Sequence, residues 1–307
     1  MKLFFAPLQG YTEAAYRKAH EDVCPGVDAY FSPFLRLEHG QIRRRDLRDI
    51  NREINPGNLI PQVIAADVKE FTQLCDAVIS QGYRRIDANM GCPFPPQVKA
   101  GRGAGLLPRA DAVKDICDEI KRYSSDGVAF SVKMRLGQET KEEGLAVLDV
   151  LNDTPLEFVT VHPRLGKQQY KGDVEMDAFK EFYDRCKHPV VYNGGILSVD
   201  DINRIETLFP DLAGVMIGRG LLARPTLAAE YRSGAVSDDV VRQSVAEIHG
   251  KVLAQYMETL EGGDAQILSK IQPFWEYPGH LFDKKVIKHM SKTGSLVAYL
   301  KLIPELK

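Results

Sequence analysis

The chain has 307 residues, of which 44% are hydrophobic and 27% are charged, and its formal net charge is -2. This composition is typical of a soluble globular protein and excludes collagen-like and disordered chains. The slightly negative charge also excludes a general attraction to nucleic acid, so that RNA or DNA binding would require a local basic patch.

The length fits either two domains or one α/β barrel of about 250 residues with a small appendage. No apolar run approaches the roughly 18 residues of a membrane span. The apolar start at residues 3–7 is too short for a signal peptide, so we expect a cytoplasmic protein. The five cysteines are widely spaced and form no CxxC pair. We therefore predict no disulfide framework, no metal site, no membrane association and no obligate protein partner.

Short β-like runs alternate with helix-like stretches over the first 230 residues. Strands are predicted at residues 3–7, 28–33, 59–65, 85–89, 128–135, 158–162, 190–193 and 213–217. Helices are predicted at residues 13–21, 68–80, 110–123, 142–152, 177–186 and 199–208. Residues 36–57 are charged and are predicted to be irregular.

This alternation predicts a TIM (β/α)8 barrel over residues 1–233. The strands lack polar alternation, which is typical of parallel strands covered on both faces. A doubly wound sheet is the alternative fold, but its loops would carry chemistry at one switch point rather than after almost every strand. Residues 234–307 show only helical patterns, beginning with a long amphipathic helix near 240–261. We predict an all-helical C-terminal domain there.

Polar residues and glycines follow most of the predicted strands. In a barrel the carboxyl ends of the strands form one rim, which holds the active site. The segments that reach this rim are 6–10, Gln62, 89–93, 133–135, 162–164, 193–195 and 218–220. A hydrophobic core requires none of these residue types, so we predict a binding site at the rim.

The segments 193–195 and 218–220 follow successive strands and are rich in glycine. Glycines let backbone N–H groups approach an anion, and the Arg219 guanidinium adds a fork of donors. Each segment alone is typical of a plain turn after a strand. Together, at a position where TIM barrels often bind phosphate, they predict a phosphate site.

Three reactive side chains are predicted on the same rim. Lys133 lies in an apolar strand and is a Schiff-base nucleophile, a fixed charge beside a reduced flavin, or a lysine that reaches solvent from a strand end. His162 ends a strand and is either a site residue or a structural histidine. Cys92 is the one cysteine placed where a substrate could reach it, although an inert loop cysteine has the same spacing. A thiol with a pKa of about 8.5 can act as a general acid at neutral pH.

These segments resemble the tRNA-dihydrouridine synthase family. The matching motifs, in the order of the family, are LFFAPLQG at 3–10, NMGCP at 89–93, GRGAGLL at 101–107, SVKMRLG at 131–137, HPR at 162–164, NGGI at 193–196 and MIGRG at 216–220. The resemblance covers residues 1–230 strongly and the helical tail weakly. The short turn from Gly10 to Glu13 and the layout of the tail resemble the bacterial C-type subfamily.

The resemblance implies an FMN-binding barrel with a helical tRNA-binding domain. It implies that NADPH or NADH reduces the flavin, that flavin N5 delivers hydride to C6 of a specific tRNA uridine, and that Cys92 protonates C5. The family pattern assigns to FMN the residues Pro7, Leu8, Gln62, Lys133, His162, Asn193, Gly194, Gly195, Gly218 and Arg219. It assigns to the uracil the residues Asn89, Arg164 and Tyr170.

The chain departs from the family pattern at three positions near these residues. Lys99 stands where the family commonly has an amide, which changes the hydrogen bonds that close the loop after Cys92. Pro163 and Leu165 replace a common glycine and a common threonine.

The C-terminal region has its own charge pattern. Residues 265–307 contain seven lysines against three acids, on a chain whose overall charge is -2. Lys284, Lys288 and Lys292 are spaced at i, i+4 and i+8, which places them on one helix face. Such a stripe could follow tRNA phosphates, although a solvated helix face has the same pattern.

Other functions fit parts of the sequence. A small-molecule FMN-dependent barrel reductase, similar to dihydroorotate dehydrogenase, explains Lys133, Cys92 and the phosphate site but not the lysine-rich tail. A non-catalytic tRNA-binding protein on an inactive barrel explains the tail and needs no flavin. A Schiff-base aldolase that uses Lys133 is a further alternative.

Overall fold

The computed structural model describes residues 1–306, and its central feature is a barrel of parallel strands. The barrel strands are β1 (Lys2–Phe5), β2 (Ala29–Phe31), β5 (Leu59–Ile60), β6 (Gln62–Val63), β7 (Arg85–Met90), β8 (Ala129–Gly137), β9 (Leu156–Leu165), β10 (Val190–Tyr192) and β11 (Gly214–Ile217). A separate antiparallel hairpin consists of β3 (Leu37–Glu38) and β4 (Gln41–Ile42).

The nine barrel segments occupy eight positions, because β5 and β6 are two halves of one strand on either side of Pro61. Segment β5 pairs with β2, and segment β6 pairs with β7. Proline has no N–H to donate to a ladder, which interrupts the strand at this point. Its carbonyl still accepts from the backbone N–H of Asp87 at 2.9 Å. The predicted (β/α)8 barrel is therefore confirmed.

Helices connect the strands and cover the barrel. They are α1 (Ala14–Val23), α2 (Arg44–Asp49), α3 (Val68–Ser80), α4 (Pro95–Lys99), α5 (Ala110–Ser125), α6 (Lys141–Asn152), α7 (Met176–Arg185), α8 (Val199–Leu208), α9 (Arg219–Ala223) and α10 (Leu227–Ser233). Helices α3 and α8 begin and end where the sequence predicts. The irregular prediction for 36–57 is wrong, because this segment holds the β3–β4 hairpin and α2, which are too short to produce a periodic pattern.

Aromatic side chains fill the middle of the barrel. Phe4 stacks on Phe158 with ring centroids 5.3 Å apart, and it meets Phe31 edge-on at 5.9 Å. These rings pack with Ile60, Val191 and Met216 in one buried cluster. The barrel interior is thus filled by packed side chains at this level, and the polar side chains lie toward the carboxyl ends of the strands.

The C-terminal region is helical, as predicted, and packs on the barrel. Its helices are α11 (Asp238–Thr259), α12 (Gly263–Ile271), α13 (Lys284–Lys292) and α14 (Leu296–Leu302). Helix α11 packs against α1. Lys270 of α12 forms an ion pair with Glu13 at 2.7 Å, and Tyr11 donates to Glu276. These contacts tie the tail to the loop after β1. The division at residues 233 and 234 stays a prediction, although α10 ends there.

Of the helices described for residues 1–306, none has both the length and the apolar character needed to cross a membrane.

Candidate active site

A cavity of about 840 Å³ opens at the carboxyl ends of the barrel strands. It lies within the usual size of small-molecule and cofactor sites. A narrower pocket continues from it toward the ends of β10 and β11 and shares with it the side chains of Lys133, His162 and Arg219. The two together form one site with a wide mouth and a narrow end.

The structure places nearly all of the predicted site residues in the walls of this site. The wide part is lined by Gln62, Asn89 and Cys92, the narrow end by Arg164, Asn193, Gly194, Gly195 and Gly218, and both parts by Pro7, Leu8, Lys133, His162, Tyr170 and Arg219. The exceptions are Lys284, Lys288 and Lys292, which are exposed on α13 and line neither part.

The narrow end has the features of a phosphate cradle. Among the described residues, no acceptor takes a hydrogen bond from the backbone N–H of Gly194 or Gly195. Gly195 has φ +63, and a Cβ there would meet no atom within 4 Å, so this turn borders open space. Arg219 lines the same space and forms no ion pair with the described chain. Free backbone donors and an unpaired guanidinium together suit the phosphate of a bound cofactor.

Lys133 projects from β8 into the cavity without a protein partner. It forms no hydrogen bond or ion pair with residues 1–306, and its neighbour in the strand register is Asn89. Burial and the nearby Arg135 lower the Lys133 pKa to about 8, while Asp87 opposes this shift. Lys133 is partly exposed to the cavity, so its positive charge is accessible to an electron-rich group of a ligand.

A buried network of hydrogen bonds lies directly beneath the cavity. Asp87 accepts from Gln62 Nε2 at 2.6 Å and from Ser131 Oγ at 2.6 Å. Gln62 Oε1 accepts from Asn89 Nδ2 at 2.7 Å. The Oδ1 atom of Asn89 accepts from the backbone N–H groups of Gly91 at 3.0 Å and Cys92 at 2.8 Å. Since an ionised carboxylate only accepts, Asp87 fixes the orientation of both amides and thereby the start of the Cys92 loop.

We expect Asp87→Asn to change how stability depends on pH. Burial raises the Asp87 pKa from 3.8 to about 6. Between these values the folded chain binds more protons than the unfolded chain, so wild-type stability falls as pH rises through this window. Asparagine does not ionise. The free energy of unfolding of the variant, relative to wild type, should therefore increase by about 2 kcal/mol between pH 4 and pH 7.

Urea unfolding at the two pH values measures this difference. Asp153→Asn is the matched control, because the Asp153 side chain is 78% exposed. The same pH dependence for wild type and Asp87→Asn would contradict the charged, buried state of Asp87.

Cys92 is held in a tight loop at the cavity wall. The backbone of Gly103 passes so close that a Cβ there would lie 2.6 Å from the Cys92 carbonyl oxygen. The Cys92 carbonyl accepts from the N–H of Ala104 at 3.0 Å. Burial raises the thiol pKa above its ordinary value, and the positive charges of Lys133 and Arg135 only partly offset this. The thiol is therefore protonated at neutral pH and can give up a proton.

His162 is neutral and its orientation is fixed. Arg164 Nη1 lies 2.9 Å from His162 Nε2. A guanidinium can only donate, so Nε2 accepts and the ring proton is on Nδ1. Burial and the surrounding cations hold the His162 pKa well below its ordinary value. Arg164 in turn donates to the Gly172 carbonyl at 3.0 Å and 3.2 Å, which anchors the loop that carries Tyr170.

Some cavity residues were not predicted from the sequence. Arg36, Arg43 and Arg45 line the wide part and come from the segment that was expected to be irregular. Their position after the carboxyl end of β2 is the signal that could have identified them. Tyr277 reaches the cavity from the tail and meets Tyr11 with ring centroids 5.1 Å apart. No sequence pattern connects these two tyrosines.

Within the described part of the chain, no group of three or more His, Cys, Asp or Glu side chains is arranged to hold a metal ion.

Comparison with known proteins identifies the family. The family model described as "Dihydrouridine synthase (Dus)" matches residues 4–273. The chain belongs to the dihydrouridine synthase family. Among the relatives of this family, the tRNA-dihydrouridine(16) synthase of Pseudomonas syringae is 26% identical over 81% of this chain and 80% of its own length. The tRNA-dihydrouridine synthase B of Shewanella oneidensis is 31% identical over 75% of this chain and 71% of its own length.

The dihydrouridine synthase chain also resembles solved barrels of other families. Morphinone reductase superposes with a TM-score of 0.55 at 11% identity, over 78% of this chain and 88% of its own. At this identity the likeness concerns the fold alone, and it agrees with the barrel described above.

Proposed function

We propose that this protein is a tRNA-dihydrouridine synthase that reduces the C5–C6 double bond of a specific tRNA uridine. The observation that carries the proposal is the position of the Cys92 thiol in the wall of a cavity whose far end offers free donors for a phosphate. Membership of the dihydrouridine synthase family supports the same reaction.

We propose FMN as the bound cofactor and NADPH or NADH as its reductant. The Saccharomyces cerevisiae relative named tRNA-dihydrouridine(20a/20b) synthase [NAD(P)+] is 28% identical over 234 residues. When bound, FMN supplies the hydride that its N5 transfers to C6 of the uracil. The residues proposed to hold it line the narrow end, apart from Gln62, which lines the wide part. Gly194, Gly195, Gly218 and Arg219 are proposed at the phosphate, and Pro7, Leu8, Gln62, Lys133, His162 and Asn193 around the rings.

The side chains of the wide part are proposed to bind the uracil and to supply its proton. Cys92 holds a proton and gives it to C5 of the uracil, which completes the addition of two hydrogens across the double bond. Asn89 and Tyr170 of the wide part are proposed to orient the uracil beside this thiol, together with Arg164, which lines the narrow end. Lys133, which has no protein partner, is proposed to place a positive charge beside the electron-rich edge of the flavin.

The helical tail is proposed to hold the tRNA. We propose residues 1–233 as the catalytic barrel and residues 234–307 as a tRNA-binding domain in which Lys284, Lys288 and Lys292 contact phosphates. The target base must leave its stack to enter the cavity, as in other enzymes that act on bases. A tRNA substrate also favours a location in the cytoplasm.

The activity can be tested with purified protein, NADPH and tRNA transcribed without modifications. We expect a yellow protein that releases FMN on denaturation and converts one tRNA uridine to a product heavier by two hydrogens. A protein that reduces a small molecule of the dihydroorotate type, and shows no salt-sensitive binding to labelled tRNA, would instead be a small-molecule reductase.

A further inference from the structure

We propose that the ring of Phe94 is a stacking platform for a tRNA base next to the target uridine, at the mouth of the cavity. This inference rests on the proposed function, because it names a subsite for the same RNA substrate. It assigns to the loop after Cys92 a role in binding that is separate from the proton transfer.

Phe94 is held by its backbone while its side chain is exposed. The ring lines the wide part of the cavity, and the residue is 56% exposed. Its carbonyl accepts from the N–H of Gln97 at 2.8 Å and of Val98 at 3.1 Å, and Pro95 and Pro96 begin α4 directly after it. Prolines restrict the backbone, so little motion of the loop is available to bury the ring. A large apolar side chain held open beside a cavity indicates a surface that a ligand covers.

Phe94 differs in this respect from the other exposed aromatic ring of the cavity wall. Tyr170 is 54% exposed, but the guanidinium carbon atoms of Arg135 and Arg219 lie 5.5 Å and 5.4 Å from its ring centroid. Across residues 1–306, no aromatic ring or guanidinium makes such a contact with Phe94. Neither an aromatic ring nor a guanidinium of the described chain therefore covers the exposed part of the Phe94 ring.

The charge of the cavity selects the kind of molecule that covers this ring. The ionised side chains that line the wide part are cations, and no carboxylate among the described residues lines it. The cations are Arg36, Arg43, Arg45, Lys133, Arg135 and Arg219. Behind the wall, Glu38 pairs with Arg36, and Asp46 pairs with Arg43 and Arg45, while Lys133, Arg135 and Arg219 form no ion pair with residues 1–306. A ligand that carries negative charge and planar aromatic faces fits this wall, and RNA has both. Stacking on a base is tolerant of base identity, so one platform suits a loop of tRNA in which neighbouring bases differ.

A tryptophan at this position would report stacking directly. The native Trp275 is 2% exposed and its indole N–H donates to Tyr299 at 2.7 Å. Bound RNA therefore cannot contact this indole, and we expect its emission to stay constant. In the flavin-loaded Phe94→Trp variant, we expect saturating tRNA to quench the emission of the new indole by more than half. Leu208→Trp is the matched control, because Leu208 is also 56% exposed but lies on α8 outside the cavity. Its emission should change little.

Substitution also separates stacking from a structural role of the loop. Removing one stacked base contact costs about 5- to 150-fold in affinity. We expect Phe94→Ala to raise the dissociation constant and KM for tRNA within this range, with a smaller effect on kcat, and Phe94→Tyr to restore both values. Flavin content, measured by absorbance, shows whether each variant is folded and loaded.

Three results would overturn the inference in distinguishable ways. If Phe94→Ala binds tRNA with wild-type affinity and tRNA does not quench the emission of Phe94→Trp, Phe94 is not a stacking platform, and the proposed function still stands. Equal quenching by inorganic polyphosphate, which has charge but no bases, would show an anion effect instead of stacking. A wild-type protein that binds no tRNA would remove the proposed function and this inference together.

Discussion

Cys92→Ala is expected to reduce uridine conversion by about 100- to 10,000-fold, which is the usual contribution of a general acid. The variant should keep its flavin and its affinity for tRNA, because the proposed phosphate cradle and the lysines of α13 are on other elements. The thiol is suited to the role since burial keeps it protonated at neutral pH. Single-turnover conversion of tRNA by pre-reduced enzyme measures the step that this proton completes.

Cys186→Ala is the matched control. Cys186 is also a partly buried free thiol, but it follows α7 at the opposite end of the barrel strands and lines no part of the site. We expect it to convert uridine at the wild-type rate. A Cys92→Ala protein that is as fast as this control would contradict the proton-donor role.

Replacing Lys284, Lys288 and Lys292 together with glutamate is expected to weaken tRNA binding by at least about 10-fold. Each lost phosphate contact should also lower the slope of log affinity against log salt by about 0.7 to 0.9. These lysines are exposed and form no ion pair within residues 1–306. Their helix packs against the segment 272–281, which also delivers Tyr277 to the cavity. Filter binding across a range of salt concentrations measures both effects.

Glutamates at Lys121, Lys180 and Lys187 make the same change in net charge on the barrel, where these lysines pair with Asp118, Asp184 and Asp153. The lysine side chains are 43%, 63% and 70% exposed and belong to α5, α7 and the turn after α7. We expect this control variant to keep most of the wild-type affinity for tRNA. Equal losses in the two triple variants would mean that α13 is not the tRNA surface.

The sequence predicts the barrel and most of the site for one physical reason. Parallel strands bring all their carboxyl ends to one rim, so residues as distant as Gln62, Cys92 and Arg219 meet without any local pattern that joins them. The contacts that fix these residues are less visible. In the sequence, Asp87 is simply a polar residue within a predicted strand. Its buried hydrogen-bond network becomes visible only when the strand register places it beside Gln62 and Ser131.

Two further features depend on tertiary packing. The break at Pro61 leaves a strand that still looks continuous in the sequence, because each half keeps apolar residues. Tyr277 enters the cavity because Lys270 pairs with Glu13 and Tyr11 donates to Glu276 across more than 250 residues of chain. Propensity and periodicity are local signals, so neither predicts such a contact.

Mapping dihydrouridine in tRNA from cells that contain this protein and from cells that lack it tests the proposed function. We expect one or a few tRNA positions to carry dihydrouridine only when the protein is present. Wild-type protein should restore them, and the Cys92→Ala protein should not. Identical dihydrouridine maps in the two kinds of cell would contradict the proposed function.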